Sequence, residues 1–287
     1  MHDVFYFTDI HGQLPLFNRV MEFIQEQDED ATIIYGGDAC DRGPDGYSIM
    51  NMLLDNPKVV YLKGNHEDLF VRAARALLAY LPQGDAFDPA MASCYLEEFY
   101  EDENIEIAIY NGATSTLTDW MLDGAPRSFV DRIEELPVIY SYEDYDFSHA
   151  GGHPRNFLEA QERVYNGQPL EDYMEAGLIW DRNMFQMGWN PGRTMIHGHT
   201  PTIYLPAAYY GRDKSEARIH PCQWKGTFDT ARWPGWRVDM DTGATWTGRI
   251  WVLNVLTGLA TSIFDKDIGN DNWPHSFDVG LENFRIK

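Results

Sequence analysis

Asp38 and Asp41 stand three residues apart in the stretch YGGDACDRGPDG (35–46), and Arg42 follows the second carboxylate directly. Four more short segments mix carboxylate, imidazole or carboxamide with glycine: TDIHG (8–12), KGNHED (63–68), SHAGG (148–152) and HGHTP (197–201). Asp9 and His11 are alternate residues, so an extended backbone turns both to one side. Asp9, His11, Asp38, Asn65, His66, His149 and His199 offer oxygen and nitrogen donors suited to Zn²⁺, Mn²⁺ or Fe, with no thiolate among them. That is more than one ion uses. Two ions about 3.5–4 Å apart, bridged by one carboxylate and one water, would use the set and would give hydroxide at neutral pH. An arginine fork suits phosphate oxygens better than lysine does. An imidazole held by a carboxylate can protonate a leaving oxygen. Each segment alone is commonplace, since a histidine beside glycine is more often a turn residue than a ligand. Their joint occurrence carries the reading.

Something must bring five separate segments together. Each follows an apolar run rich in β-formers. Val4–Phe7, Ala31–Tyr35 and Val59–Leu62 read as strands, alternating with helical periodicity at Leu14, Phe17, Val20, Met21 and Ile24, then over Tyr47–Leu54 and from Phe70 to Leu81. Strand–helix alternation predicts βαβ units and a mainly parallel sheet, whose functional loops sit at the carboxyl ends of its strands. Residues 83–135 break the rhythm and read as a helical insertion packed on the sheet, with EEFYEDENIE (97–106) as its solvated face. PVIYSYEDYDFSHAG reads as a hairpin turning at Glu143-Asp144, a helical segment leads to LIWDRN, and TMI precedes HGHTP. The stretch from RVDMDTGATWTG to LATSIF reads as consecutive antiparallel strands. The expected organisation is one domain over 1–287. Residues 202–237 form an excursion that could act as a lid or a substrate-contacting wall. Its part from Arg212 to Arg237 carries six Arg and Lys against three Asp and Glu, together with Trp224, Trp233 and Trp236.

The chain has 287 residues and a formal net charge of −23. Such a chain repels nucleic acid and anionic membranes, so neither is an expected partner. An anionic substrate would need local positive charge from metal ions and a few arginines. Three cysteines, Cys40, Cys94 and Cys222, with no CxxC, argue against a disulfide framework or a thiolate zinc site and fit a reducing cytoplasm. Cys40 lies inside the central motif but lacks a separate base, so it reads as packing. No secretory signal and no apolar run long enough for a membrane span is apparent.

The motifs resemble those of the metal-dependent phosphoprotein phosphatase superfamily. Its signature GDxHG…GDxxDRG…GNHE stands here as TDIHG, GDACDRG and GNHE, with Thr8 in place of the first glycine. The later His149-Ala150-Gly151, Gly198-His199-Thr200 and the DTGA ending resemble bacteriophage and bacterial serine/threonine phosphatases, a subgroup related to symmetrical dinucleoside-tetraphosphatases. The resemblance spans residues 9 to about 256. It implies an α/β fold, a calcineurin-like metallophosphoesterase β-sandwich of two mixed sheets flanked by helices. Two divalent ions are implied, Mn²⁺ first, with Fe or Zn possible. Asp9 and His11 would bind the first ion, Asp38 both, and Asn65, His149 and His199 the second. His66, oriented by Asp41, would act as general acid, and Arg42 and Arg182 would clamp the phosphate. The family pattern gives the metal to His199, and His197 would lie behind the ligands, near the substrate, or on the metal itself.

The implied activity is hydrolysis of phosphate monoesters by direct attack of a metal-bridging hydroxide, with phosphoserine or phosphothreonine in proteins as substrate. Dinucleoside polyphosphates are the alternative, and a cyclic-nucleotide phosphodiesterase is less favoured by the DRG and GNHE pattern. An inactive binding protein on the same fold would be expected to have lost a ligand or the acid, and none is missing.

Overall fold

The structure, a computed structural model, describes residues 2–82, 84–182, 193–204, 222–225, 236–265 and 283–285. Its first third is β1 (Val4–Phe7), α1 (Leu14–Gln27), β2 (Thr32–Tyr35), α2 (Gly46–Asp55), β3 (Val59–Tyr61) and α3 (Asn65–Tyr80). β1 pairs with β2 and β2 with β3, all parallel. β1 is apolar at every position because both of its faces are covered. Val4 and Tyr6 pack toward the second sheet, and Phe5 and Phe7 pack with the helices.

Four helices follow: α4 (Ala92–Glu98), α5 (Glu103–Tyr110), α6 (Thr114–Leu122) and α7 (Arg127–Glu134). They do not sit on the sheet as expected. α5 and α7 pack on α3, and α6 packs on α2 and α4, so helices lie between them and the strands. Glu97, Glu98, Glu101, Glu103 and Glu106 are exposed, a solvated face. Asp102 caps α5 by accepting the Asn104 N–H at 2.9 Å.

The second half holds β4 (Tyr140–Tyr142), β5 (Tyr145–Phe147), α8 (Pro154–Tyr165), α9 (Asp172–Ile179), β6 (Thr194–His197), β7 (Cys222–Lys225), β8 (Trp236–Asp239), the short α10 (Ala244–Thr247), β9 (Arg249–Asn254), β10 (Leu259–Phe264) and β11 (Asn283–Arg285). β4 and β5 form the expected hairpin, with Glu143 at φ +48° in its turn. The strands make two mixed sheets, β11-β10-β9-β1-β2-β3 and β4-β5-β6-β8-β7. Tyr6, Ile34, Leu62, Trp251 and Leu253 of the first meet Phe147, Ile196 and Val238 of the second in a shared apolar layer. Helices cover both outer faces. Two mixed sheets flanked by helices are the architecture that the resemblance implies.

One expectation fails here. β8 is not an antiparallel neighbour of β9. It pairs parallel with β6 in the second sheet, and the chain then crosses to β9 in the first. The alternation in RVDMD marks a strand but cannot name its partner. Most of the 202–237 excursion lies outside the described residues. Arg237 is no surface cation: it is 2% exposed and donates to the Gly152 carbonyl at 2.5 Å.

The hairpin end of the second sheet is held by Arg193. It donates to Asp146 Oδ1 at 2.6 Å and 3.0 Å, to the Glu143 carbonyl at 2.7 Å and to the Tyr145 carbonyl at 2.9 Å. Asp146 is fully buried. Arg193→Ala removes the cation from a buried carboxylate and should lower stability by about 3 kcal/mol, read from a urea unfolding midpoint.

Candidate metal centre

Six loops converge at the carboxyl ends of six parallel strands, β1, β2 and β3 of one sheet and β5, β6 and β8 of the other. Backbone bonds stitch them together. Asp9, His11 and Gly12 N–H groups donate to the Gly37, Asp38 and Ala39 carbonyls, Gly198 N–H to that of His149, and Met240 N–H to that of His197. Asp9, His11, Asp38, Asp41, Arg42 and His199 all have φ between +47° and +70°. Left-handed backbone at non-glycine residues is unfavourable and persists where the surroundings impose it. Gly198 permits the tightest approach, because a Cβ there would overlap Asp9 Oδ2.

Two groups of ligand atoms share Asp38. His11, Asp38 and His66 form one, and Asp38, His149 and His199 the other, each within 4.8 Å internally. His149 Nε2 lies 3.2 Å from Asp38 Oδ1, and His11 Nε2 3.6 Å from Asp38 Oδ2. The outward nitrogens have acceptors: His11 Nδ1 faces the Cys40 carbonyl at 2.9 Å, His149 Nδ1 that of Gly36 at 2.8 Å, and His199 Nε2 that of Trp180 at 3.1 Å. Donating outward leaves the inner nitrogen of a neutral His11 with its lone pair turned to the centre, the tautomer a metal ligand needs, while at His149 a metal ion would replace the inner proton. Asn65 Oδ1 lies 2.7 Å from His199 Nδ1 and 3.0 Å from His149 Nε2. Asn65 Oδ1, Asp38 Oδ1 and the two imidazole nitrogens thus crowd one buried spot, a donor set that a cation can take in place of protons. The donor set fits divalent ions. Asp9 lies alongside, its two oxygens accepting the His199 N–H at 3.1 and 3.2 Å and Oδ2 also accepting from Thr8 Oγ1 at 2.7 Å.

The clustered groups shift one another's protonation. Burial, then the neighbouring Asp241, pushes the Asp9 carboxyl well up. Burial lowers His11, with Arg42 and His66 adding to the effect, and lowers His199, aided by His149 and Arg182. Burial alone would also lower His149, but the Asp38 carboxylate outweighs it and lifts the imidazole to about 10. Asp38 is held far down against burial by His149 and His66. Two carboxylates here were not anticipated. Asp239 ends β8, Asp241 lies just beyond it, and both are buried; burial and mutual repulsion raise Asp239 well up, and burial first of all brings Asp241 to about 6. Their alternate spacing in DMD was the available signal.

His66 is buried and its Nδ1 lies 2.8 Å from Asp41 Oδ2, so the ring's Nε2 faces the site. Arg42 is exposed at the mouth; its guanidinium bridges His11 Nε2 at 2.8 Å and His66 Nε2 at 3.0 Å and lies 5.6 Å from the Trp246 ring centroid. Arg182 reaches the same mouth, with Nε 3.2 Å from His199 Nε2. His197 is buried outside both groups; its ring lies against Gly151, and burial, then Arg237, drops it to about 3. Cys40 is buried, and burial and Asp41 push its thiol well up, so it is no nucleophile.

Glu67, the last residue of GNHE, had no assigned role. It accepts from the N–H groups of Asp38 (2.8 Å), Ala39 (2.7 Å) and Gly64 (2.8 Å) and from Tyr61 OH (2.7 Å). One buried carboxylate thus ties the Asp38 loop to the start of α3. Glu67→Gln would set an amide N–H against one of those donors and should cost about 2–4 kcal/mol of stability, read by thermal unfolding.

The family model for calcineurin-like phosphoesterases matches residues 3–216. The chain belongs to the calcineurin-like phosphoesterase family. The family's chemistry is metal-dependent hydrolysis of phosphoesters, and the paired His/Asp groups of this phosphoesterase are groups that could hold divalent ions. No curated protein matches the chain. Among solved structures, it is similar to one described as a candidate diadenosine tetraphosphatase, at 15% identity and TM-score 0.52, covering 94% of this chain and 95% of that one. It is also similar to a cold-active protein-tyrosine phosphatase of a psychrophilic Shewanella species, at 13% identity and TM-score 0.46, covering 92% and 78%. A protein serine/threonine phosphatase from Saccharomyces cerevisiae is 14% identical at TM-score 0.42, covering 100% and 80%. Among the described residues no helix of the phosphoesterase is long and apolar enough to cross a membrane.

Proposed function

We propose that this phosphoesterase hydrolyses phosphate monoesters at a dinuclear centre, with phosphoserine or phosphothreonine in proteins as substrate and Mn²⁺ as metal. The observation that carries the proposal is Asp38 shared between two groups of ligand atoms, with the Asp41–His66 pair beside them. Asp9, His11 and Asp38 would hold one ion, and Asp38, Asn65, His149 and His199 the other. When bound, such ions polarise the phosphoryl group and lower the pKa of coordinated water. The protein's own groups do the rest. Arg42 and Arg182 take the phosphate oxygens through their planar forks. Asp41 fixes the His66 ring, and His66 Nε2 gives the leaving oxygen its proton. The exposed Arg42 and the net charge of −23 favour a basic phosphopeptide.

One observation favours a second reading, hydrolysis of dinucleoside polyphosphates. Trp246 lies beside Arg42 with the exposed Tyr204 5.8 Å from its centroid, a surface on which a base could stack. A substrate panel separates the two. Phenyl phosphate, a phosphoserine peptide, diadenosine tetraphosphate and a cyclic nucleotide are assayed with Mn²⁺ and after chelation. Turnover of the first two, lost on chelation, is expected. Turnover of the dinucleotide with an inert phosphopeptide selects the second reading, and no turnover at all refutes both.

A further inference from the structure

Asp41 and Arg42 are consecutive non-glycine residues in left-handed backbone, at φ +67° and +64°. Such a pair persists only where neighbours over-determine it, because each residue costs about 1–3 kcal/mol. The neighbours come from a distant stretch, the corner between α5 and α6. Asp41 N–H donates to Thr116 Oγ1 at 3.1 Å. Arg42 N–H donates to the Gly112 carbonyl at 3.0 Å. Ser115 Oγ donates to the Gly43 carbonyl at 2.9 Å. Three successive loop residues are therefore each tied to one corner. Gly112, at φ +100°, permits the contact, since a Cβ there would lie 2.9 Å from Arg42 N. Gly46 does the same from the other side, where a Cβ would lie 2.7 Å from Thr116 Oγ1. Thr116 is fully buried, so no water can replace its oxygen. Between Gly112 and Thr116 there is no acid, base or metal ligand.

We propose that the α5–α6 corner positions the site. Thr116 sets the Asp41–His66 pair, and Ser115 with Gly112 sets the Arg42 fork. The helical insertion thus acts on the reaction without touching substrate. Thr116 and Ser115 are positioning residues. Asp41 and His66 are 0% and 1% exposed, and a bond of 2.8 Å between two packed side chains leaves little slack for a shifted Asp41 backbone. The inference rests on His66 as the acid and Arg42 as the clamp.

The test uses two substrates that differ in their need for an acid. p-Nitrophenolate leaves with little protonation, and phenolate needs more. Thr116→Val keeps the shape but removes the acceptor. Its kcat should fall about tenfold on phenyl phosphate and about twofold on p-nitrophenyl phosphate. Thr116→Ser restores the oxygen and should recover most of that loss. Ser115→Ala should instead raise KM and the inhibition constant of inorganic phosphate about threefold on both substrates, with the kcat ratio kept. His66→Asn is the reference. If it separates the two substrates but Thr116→Val lowers both equally, or lowers neither, the proposal is overturned and the acid assignment stands. If His66→Asn itself fails to separate them, the acid assignment is what fails. Should Thr116→Val not fold, judged by near-UV circular dichroism, Ser115→Ala decides alone. Unchanged KM and phosphate inhibition would then refute the proposal.

Discussion

Asp38→Asn should lower kcat/KM on phenyl phosphate by about a thousandfold or more, which is on the order of 4 kcal/mol of transition-state stabilisation. Among the described residues, no other side chain contributes to both ligand groups. Its two oxygens are divided between them, with Oδ1 3.2 Å from His149 Nε2 and Oδ2 3.6 Å from His11 Nε2. An amide has one oxygen and carries no charge, so it cannot serve both groups. The His66 N–H, which donates to Asp38 Oδ1 at 3.0 Å, would be left facing an amide nitrogen in one of the two rotamers. The fold should survive, since Asp38 N–H is held by Glu67 through the backbone. Steady-state kinetics with Mn²⁺ in excess, alongside a thermal melt, make the check. A melt close to that of the unaltered protein with activity nearly lost is the expected pair of results. Activity within about tenfold of the unaltered protein would remove Asp38 from its bridging place.

His66→Asn is the second large effect. Proton delivery by a positioned side chain contributes about 10²–10⁴-fold. The loss should be near the upper end for phenyl or alkyl phosphates and smaller for p-nitrophenyl phosphate. His66 also lies in the first ligand group, 3.9 Å from Asp38 Oδ2, so a purely ligating role makes a different forecast. A ligand's loss would weaken metal binding and slow all esters alike. The acid's loss leaves metal affinity intact and depends on the leaving group. Measuring Mn²⁺ affinity and both rates on one preparation tells these outcomes apart.

Much of this site could be read from order and residue type. TDIHG, GDACDRG, GNHE, HAG and GHT each follow an apolar run, and strands of a βαβ chain place such loops at one edge. The run Val4–Phe7 and the spacing of Leu14, Phe17, Val20, Met21 and Ile24 carry enough local signal to fix their own elements. What could not be read depends on contacts between distant segments. RVDMD has a strand's alternation, but its pairing with β6 is a tertiary choice, and Asp239 and Asp241 came to the metal centre with it. Glu67 reads locally as an early-helix acid; its bonds to the Asp38 loop exist only once β2 and β3 are side by side. Thr116 sits 75 positions from Asp41, and nothing in TSTLTDWML hints that one hydroxyl leaves the helix's own pattern to serve the loop.

Metal stoichiometry tests the central claim most directly. The chain is stripped with a chelator, dialysed against Mn²⁺, and the bound metal counted by atomic emission while phenyl phosphate turnover is followed. Two equivalents per chain are expected, with activity returning only as the second fills and lost again on chelation. Full activity at one equivalent, or turnover that survives complete removal of metal, would contradict a centre built on Asp38 between two ions.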